Sequence, residues 1–352
     1  MIKQSNPRTE CAVSVGLCTD PRVWDEYVTA YAPNPYYHAW KWREAICDTF
    51  GHRAYYLAAT TDGSICGVLP LFHIRSTLFG GSLVSIPFFS SGGVLADDPG
   101  ARDLLLAKAA ELGQDLRVRH IELRQGESFS TGWAERASKV SMRIELPPDR
   151  EALWRSLSSG MRNKVRNGQK HGFRAVWGGA EQLGPFYSLF AVNMRHLGTP
   201  VYPRSWFENL ARAGGDSFRI LTLFDGDQAV ASAFLMAHGA VLELPWSASL
   251  PEARKKYTHL MLYWTFLEWA IERGFRVMDL GRCTPGGGTY EFKRHWGCRE
   301  EPMHWYYWVP EGSNLPDRNP ESPKFKLAVE VWKRLPLPIA NGIGPLIVRS
   351  LP

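Results

Sequence analysis

One hydrophobic pattern occurs twice along the chain. Residues 55–72, YYLAATTDGSICGVLPLF, run as apolar strand, Asp-Gly, apolar strand; residues 218–238, FRILTLFDGDQAVASAFLMAH, do the same. Asp-Gly between such runs predicts a β-hairpin, because a two-residue hairpin turn needs residues that tolerate positive φ. Each hairpin is followed, after an irregular stretch, by a helical pattern and an apolar strand: RDLLLAKAAELGQDLRVRHIELR at 102–124 and HLMLYWTFLEWAIERGFRVMDLGR at 259–282. In both, a glycine, Gly113 or Gly274, is expected to end the helix in left-handed conformation. The Asp-Gly pairs lie 163 residues apart and the two glycines 161. A near-constant offset argues for a duplicated unit.

Helices and strands mixed in this order predict an α/β fold with a mixed sheet in each unit. The 352 residues suit about two domains of roughly 150 residues. The seam is expected at ELPPDRE, 145–151, where a Pro pair ends a strand and Asp149 can cap the next helix. The expected domains are therefore 1–147 and 148–310, followed by a tail, 311–352. Residues 311–325 read as a loop, and about 324–334 as a short helix. The end, LPLPIANGIGPLIVRSLP, is apolar but broken by Pro and Gly. It is expected to pack on the body, with contact to a membrane surface as the other choice.

Composition is that of an ordinary globular protein, 45% hydrophobic and 22% charged. The 14 tryptophans, some clustered as in HWYYW at 304–308, are expected in the core before a ligand groove. The first residues carry no apolar signal core, and no run reaches the roughly 18 apolar residues of a membrane span. A cytoplasmic protein is expected, possible contact with the inner membrane apart. Cys11, Cys18, Cys47, Cys66, Cys283 and Cys298 form no C-x-x-C pair, and the ten histidines form no H-E-x-x-H. Reduced thiols and no metal site are expected.

Charge changes this picture in one place. Between Glu151 and Glu181 no acid occurs, while Arg155, Arg162, Lys164, Arg166, Lys170 and Arg174 do; these six match the net charge of +6. On a helix, Leu153, Leu157, Met161 and Val165 form an apolar stripe and Arg155, Arg162, Arg166 and Lys170 a basic one. Ser158, Ser159 and Gly160 interrupt the first turns, so the helix could begin near Gly160. An unmixed basic stripe forgoes i,i+4 ion pairs. It is suited to phosphate-bearing ligands, which makes Arg162, Arg166 and Lys170 candidate binding residues. The glycine-rich turn LGRCTPGGGTYEFKRHWG, 280–297, follows a buried strand. It matches neither a Walker loop nor G-x-G-x-x-G. Its glycines let backbone approach a ligand closely. Its Lys293 stands between Phe292 and Trp296, where an ammonium needs an anion or a route to water.

The block GRCTPGGGTYEFKRHWGCREEPMHWYYW resembles the C-terminal signature of FemAB-like transferases. It is most similar to the FemAB-related proteins associated with PEP-CTERM/exosortase systems, with Cys283 where serine is usual. IPFFSSGGVLAD at 86–97 and LWRSLSSGMRNKVRNGQKHGF at 153–173 resemble further segments of that family. The resemblance implies two tandem GNAT-type domains. It implies aminoacyl or acyl transfer to an amine, from aminoacyl-tRNA in members of known chemistry, with a peptidoglycan precursor as acceptor there. Lys293 would stabilise the oxyanion and Phe292 would shape the acyl channel. Glu291, Asp279 and His295 are candidate proton acceptors. Arg282, Gly287, Gly288, Tyr290 and Trp296 of the same block, and Arg204 in YPRSWF, are candidate substrate contacts. The first-domain lysine of the peptidoglycan enzymes has no convincing counterpart in Lys41 or Arg43. The exosortase kinship points instead to an acceptor in cell-envelope or exopolysaccharide assembly.

Three functions stay open on the sequence: an aminoacyl-tRNA-dependent transferase, an acyl-CoA- or acyl-carrier-dependent N-acyltransferase, and a non-catalytic scaffold. No bound cofactor is expected, and no DNA partner. The usual CoA turn, [QR]-x-x-G-x-[GA], fails at its last position in both RHLGTP and RHWGCR. Retention of the glycine-rich turn and Lys293 argues against the scaffold.

Overall fold

The computed structural model describes residues 12–31, 36–76, 80–315 and 323–351. Cys11 and part of the Pro-, Asn- and Ser-rich tail, 316–322, lie outside these. The N-terminal half comprises β1 (Ser14–Leu17), α1 (Pro21–Ala30), α2 (Lys41–Phe50), β2 (Arg53–Thr61) and β3 (Ser64–Ser76). It continues with β4 (Gly80–Ser85), β5 (Leu95–Ala96), α3 (Pro99–Asp115), β6 (His120–Gln125) and β7 (Ala134–Glu145). The C-terminal half comprises α4 (Arg150–Ser156), α5 (Ser159–Gln169), β8 (Arg174–Gly178), α6 (Leu183–Leu197), α7 (Arg204–Gly214), β9 (Phe218–Asp225) and β10 (Gln228–His238). Then follow β11 (Val241–Ser249), α8 (Thr258–Glu272), β12 (Val277–Cys283), α9 (Gly288–Arg294) and β13 (Arg299–Trp308). Two helices, α10 (Pro323–Arg334) and α11 (Leu337–Val348), end the described chain.

Both predicted hairpins form. In β2–β3 the turn is Asp62-Gly63, with φ of 50° and 78°, the double positive φ of a type I′ turn. In β9–β10 the pairing of Asp225 with Gln228 moves the turn one residue on, to Gly226-Asp227. There only Gly226 has positive φ. The two Asp-Gly pairs therefore do not occupy equivalent turn positions.

The strands form one mixed sheet in the order β1-β2-β3-β4-β6-β13-β7-β12-β11-β10-β9-β8, with β5 on β3. The halves exchange their last strands. β13 of the C-terminal half pairs with β6, and β7 of the N-terminal half pairs with β12. β7 and β13 pair with each other between them. Continuous antiparallel pairing across the middle satisfies backbone groups that an isolated half would leave at an edge.

Each half holds one parallel pair, β4 with β6 and β11 with β12, of three residue pairs each. Beyond Val84↔Glu122 and Glu243↔Asp279 no further pairs form. Past these pairs a gap lies between the two strands of each half.

Asp149 caps α4 by accepting from Ala152 N–H. The basic segment is two helices: Ser158 caps α5 by accepting from Met161 N–H at 3.2 Å. The predicted stripe is the core face, with Leu153, Leu157, Met161 and Val165 at most 3% exposed. Burial of this kind contributes about 1.5–3 kcal/mol per large side chain.

Two expectations need correction. Gly274 does follow α8 in left-handed conformation, φ 77°. Gly113 does not end α3: it lies inside the helix, where a Cβ would sit 3.0 Å from both Ile121 and Trp308. Close packing selected that glycine. The apolar end is not broken either. Residues Leu337–Val348 form α11 with Pro338 in the first turn, where no N–H is needed, and Pro345 inside the helix; Ala340, Gly344 and Val348 pack on the body, as expected.

Candidate active site

Gly281 is the pivot of the C-terminal gap. The β7–β12 register shifts between Asp279 and Arg282, and Gly281 within that shift has φ 75°. A side chain there would be strained. Its N–H donates to Asp279 Oδ1 at 2.7 Å, and its carbonyl accepts from Lys293 Nζ at 3.2 Å. Lys293, on the short α9 behind the glycine turn, is only 5% exposed. Its ammonium has three protons to donate, and no carboxylate among the described residues forms an ion pair with it.

The gap opens into a cleft of about 690 Å³. Phe292, Tyr263 and Trp246 form apolar wall, Lys293 and Arg282 contribute cations from below, and Lys164 and Arg254 line it as well. Phe292 meets Tyr263 edge-on at 4.9 Å. Trp296 is buried behind them, stacked on Tyr263 at 5.9 Å, and is core rather than lining.

Arg282 is incompletely satisfied by the protein. Its Nη1 is buried with no hydrogen-bond partner, and its guanidinium lies 5.3 Å from the Trp305 ring. Burial, and then the neighbouring Arg124 guanidinium, push its pKa down to about 10. It remains charged at neutral pH, and an anion in the cleft would relieve both penalties.

His259 lines the same cleft, packs 4.8 Å from Phe292, and has a buried Nδ1 without a partner. Burial, with Arg254 and Lys293 nearby, pushes its pKa down to about 4, so the ring is neutral near pH 7. Cys298 donates to the Lys293 carbonyl at 3.2 Å, and burial pushes its thiol up to about 12. It is a packing thiol rather than a nucleophile.

A second cavity, about 300 Å³, lies between the halves and is lined by Tyr36, Tyr37, Arg143, Asp279 and Glu301. Glu243 and Ser90 line both cavities. Glu243 is 6% exposed and ends the parallel pairing of β11 with β12. It accepts from the Tyr37 hydroxyl, and His238 Nε2 lies 3.6 Å from its carboxylate.

The sequence candidates thus divide. Lys293, Phe292 and Arg282 meet in the cleft. Gly287, Gly288 and Tyr290 line a hollow, also about 300 Å³, that shares Arg282 and Thr289 with the cleft. Asp279 faces the second cavity, held by Ser141 at 2.9 Å and Arg143 at 3.0 Å. Glu291 and His295 are exposed and line none of these cavities; His295 Nδ1 lies 2.6 Å from the Glu291 carbonyl. Arg162 donates to the Leu157 carbonyl at 2.6 Å and Arg166 lies over Trp154. Lys170 bonds Asn167 and Arg204 bonds Glu208. None of these four lines the cleft; from the basic helix, Lys164 does.

Sequence reasoning missed Glu243 and His259. Glu243 interrupts an apolar run and His259 stands at the start of one, where both look like plain core, and that placement was the available signal. Among the described residues no group of three or more His, Cys, Asp or Glu could hold a metal, and no helix is long and apolar enough to cross a membrane.

A model of the acetyltransferase (GNAT) domain matches residues 130–294, from just before β7 through α9. The crystal structure of FemX superimposes with a TM-score of 0.62 at 17% identity, covering 84% of this chain and 97% of FemX. A tandem GNAT protein from the clavulanic acid biosynthesis pathway gives 0.54 at 11% identity, covering 87% of this chain and 100% of that one. L-PGS from Bacillus licheniformis gives 0.53 at 9% identity, covering 90% and 97%. No curated protein sequence gave a significant match. The fold is therefore GNAT-like, in two tandem halves joined through one mixed sheet, and the open cleft lies in the half that the acetyltransferase model matches.

Proposed function

We propose that this chain is an N-acyltransferase of the FemAB-like kind, moving an activated acyl or aminoacyl group onto an amine. One observation carries the reading: a buried lysine, bound to one backbone carbonyl, faces an apolar cleft where two parallel strands part. Such an ammonium is suited to a negative charge that exists only during reaction, and low-dielectric walls strengthen that interaction.

The chemistry then needs few groups. The amine nitrogen attacks the acyl carbonyl, and the carbonyl oxygen takes up negative charge beside Lys293. The amine proton passes to Glu243. The tetrahedral intermediate collapses, the acyl C–O or C–S bond breaks, and the donor's alcohol or thiol leaves with the proton returned from Glu243. Glu243 is favoured over His259 as the acceptor because a carboxylate becomes neutral on taking a proton. His259 would gain a charge beside Lys293 and Arg254. Asp279 acts through Gly281, fixing the carbonyl that orients Lys293. The second cavity, which shares Glu243 with the cleft, supplies the amine.

Lys164, Arg254 and Arg282 favour a donor bearing phosphate, which both aminoacyl-tRNA and acyl-CoA do. An acceptor in cell-envelope or exopolysaccharide assembly rests on the sequence resemblance alone. The test is a thermal-shift panel of acyl-CoAs, aminoacyl-tRNA, UDP-amino sugars and lipid-linked sugar diphosphates, since a ligand of the folded state raises the melting temperature. Salt-sensitive stabilisation by aminoacyl-tRNA selects the first donor and stabilisation by acyl-CoA the second. No response from any member, with tight binding to another protein, returns the scaffold.

A further inference from the structure

The end of the chain carries an apolar surface that the transfer chemistry does not use. Of the eleven large hydrophobic side chains exposed among the described residues, seven lie between Leu327 and Leu351. Leu346 is 69% exposed and Leu327 66%. On α11, the exposed Ile339, Ile343, Leu346 and Ile347 follow helical spacing and form one stripe. Ala340, Gly344 and Val348 form the buried stripe beside it. Gly344 approaches Val201 so closely that a Cβ would lie 2.9 Å from its backbone nitrogen. The helix is thus fastened by one face and keeps an apolar face outward. On α10, Leu327 and Val331 point outward one turn apart while Trp332 is buried. Exposed apolar clusters of this kind mark interaction surfaces.

The charge around this surface selects its partner. From Lys326 to Leu351 there is one acid, Glu330, which pairs with Lys333 at 2.7 Å, and three further cations, Lys326, Arg334 and Arg349. Apolar side chains among cations fit an anionic lipid surface, where the chains enter the headgroup region and the cations meet phosphate. A second copy of the same face would bring like charges together. The place of these helices matters too. Both pack on α6, whose Asn193, Met194 and Leu197 line the cleft. Arg195 of α6 donates to the Leu335 carbonyl at 3.3 Å, and Val329 abuts Gly198.

We propose that α10 and α11 dock the protein peripherally on an anionic lipid surface, holding the mouth of the cleft beside it. This does not rest on the transferase reading and stands or falls separately. The experiment is sedimentation of the full chain with vesicles of phosphatidylcholine alone and of phosphatidylcholine with phosphatidylglycerol. The wild type is expected to sediment with the anionic vesicles, less so as salt rises. Ile343→Asp/Leu346→Asp is expected to lose roughly tenfold or more of that binding, with its melting temperature unchanged. Leu17→Asp, an exposed site on β1, should bind as wild type does. Should the double variant fail to fold, Lys326→Glu/Arg334→Glu reads the same surface through its charge. No sedimentation with either vesicle, or binding equal in wild type and both double variants, overturns the proposal. So does a dimer that Ile343→Asp/Leu346→Asp dissociates while no vesicle binds, since the face then belongs to a second copy.

Discussion

The two gaps between parallel strands are built alike and finished differently. In the N-terminal half, the segment after β4 folds back into the gap. Gly92 N–H donates to the Arg124 carbonyl at 3.0 Å, and the Gln125 side chain bonds both N–H and C=O of Val94. A ring nitrogen of His38 lies 2.7 Å from the Gly93 carbonyl. The C-terminal gap has no such plug and stays open as the cleft. Two arginines beside the Trp305 ring mark the contrast. Arg124 Cζ is 4.8 Å from that ring and Arg282 Cζ 5.3 Å. Arg124 is fully buried and spends its donors on Glu122 and the Phe89 carbonyl. Arg282 keeps a buried nitrogen without a partner. The difference teaches that one duplicated gap can serve as structure in one half and as a site in the other, according to whether the chain's own polar groups saturate it.

The arginine pair gives the sharpest way to break this comparison. Arg124→Met leaves Glu122 buried without its cation and should destabilise the fold by about 3–5 kcal/mol in chemical denaturation. Arg282→Met should leave the denaturation midpoint nearly unchanged while abolishing the thermal shift produced by the donor. Equal destabilisation of both variants would mean that the two gaps are equally structural.

Next in size, Lys293→Ala should lower single-turnover transfer by about 100-fold or more, the range seen when one oxyanion donor is removed. Glu243→Gln should also slow transfer, lowering kcat rather than raising KM. Normal turnover in Lys293→Ala would make that lysine structural. A smaller effect should separate the glycines. A Cβ on Gly93 would sit 1.8 Å from Gln125 Oε1, whereas one on Gly288 meets nothing within 4 Å. Gly93→Ala should therefore cost about 1–3 kcal/mol by overpacking the plug. Gly288→Ala should stay within about 0.5 kcal/mol.

A pH dependence is expected as well. With its pKa pushed down from 6.5 to about 4, His259 binds fewer protons in the folded than in the unfolded chain between those values. Its contribution to stability is complete above about pH 6.5 and is lost as pH falls toward 4. His259→Phe should flatten that acid limb when melting temperatures are compared with the wild type from pH 4 to 7. His52, also held near 4 by burial and Arg349, remains in both proteins. An unchanged limb would mean that His259 is not the buried neutral ring described here.

Several of these features were legible in the sequence. The hairpins, the apolar stripe from Leu153 to Val165, the Asp149 cap and the pairing of Lys293 with Phe292 all depend on neighbours a few residues apart, which local periodicity encodes. The basic stripe was read as a binding face, yet Arg162 and Arg166 are engaged by Leu157 and Trp154. Lys164, off the stripe, reaches the cleft. Helical spacing says which residues share a face and not which face meets a cavity.

The sequence by itself determined the local elements, the twice-repeated order of hairpin, helix and strand, and the glycine turn behind Lys293, because each follows from side-chain pattern and turn chemistry over short spans. Only the tertiary structure decided that β7 and β13 change places, that Glu243 lines two cavities, and that Gly113 is a packing glycine. The physical reason is common to the three. Each depends on contacts between segments far apart in the chain, where close packing and hydrogen-bond satisfaction, not local propensity, set the outcome.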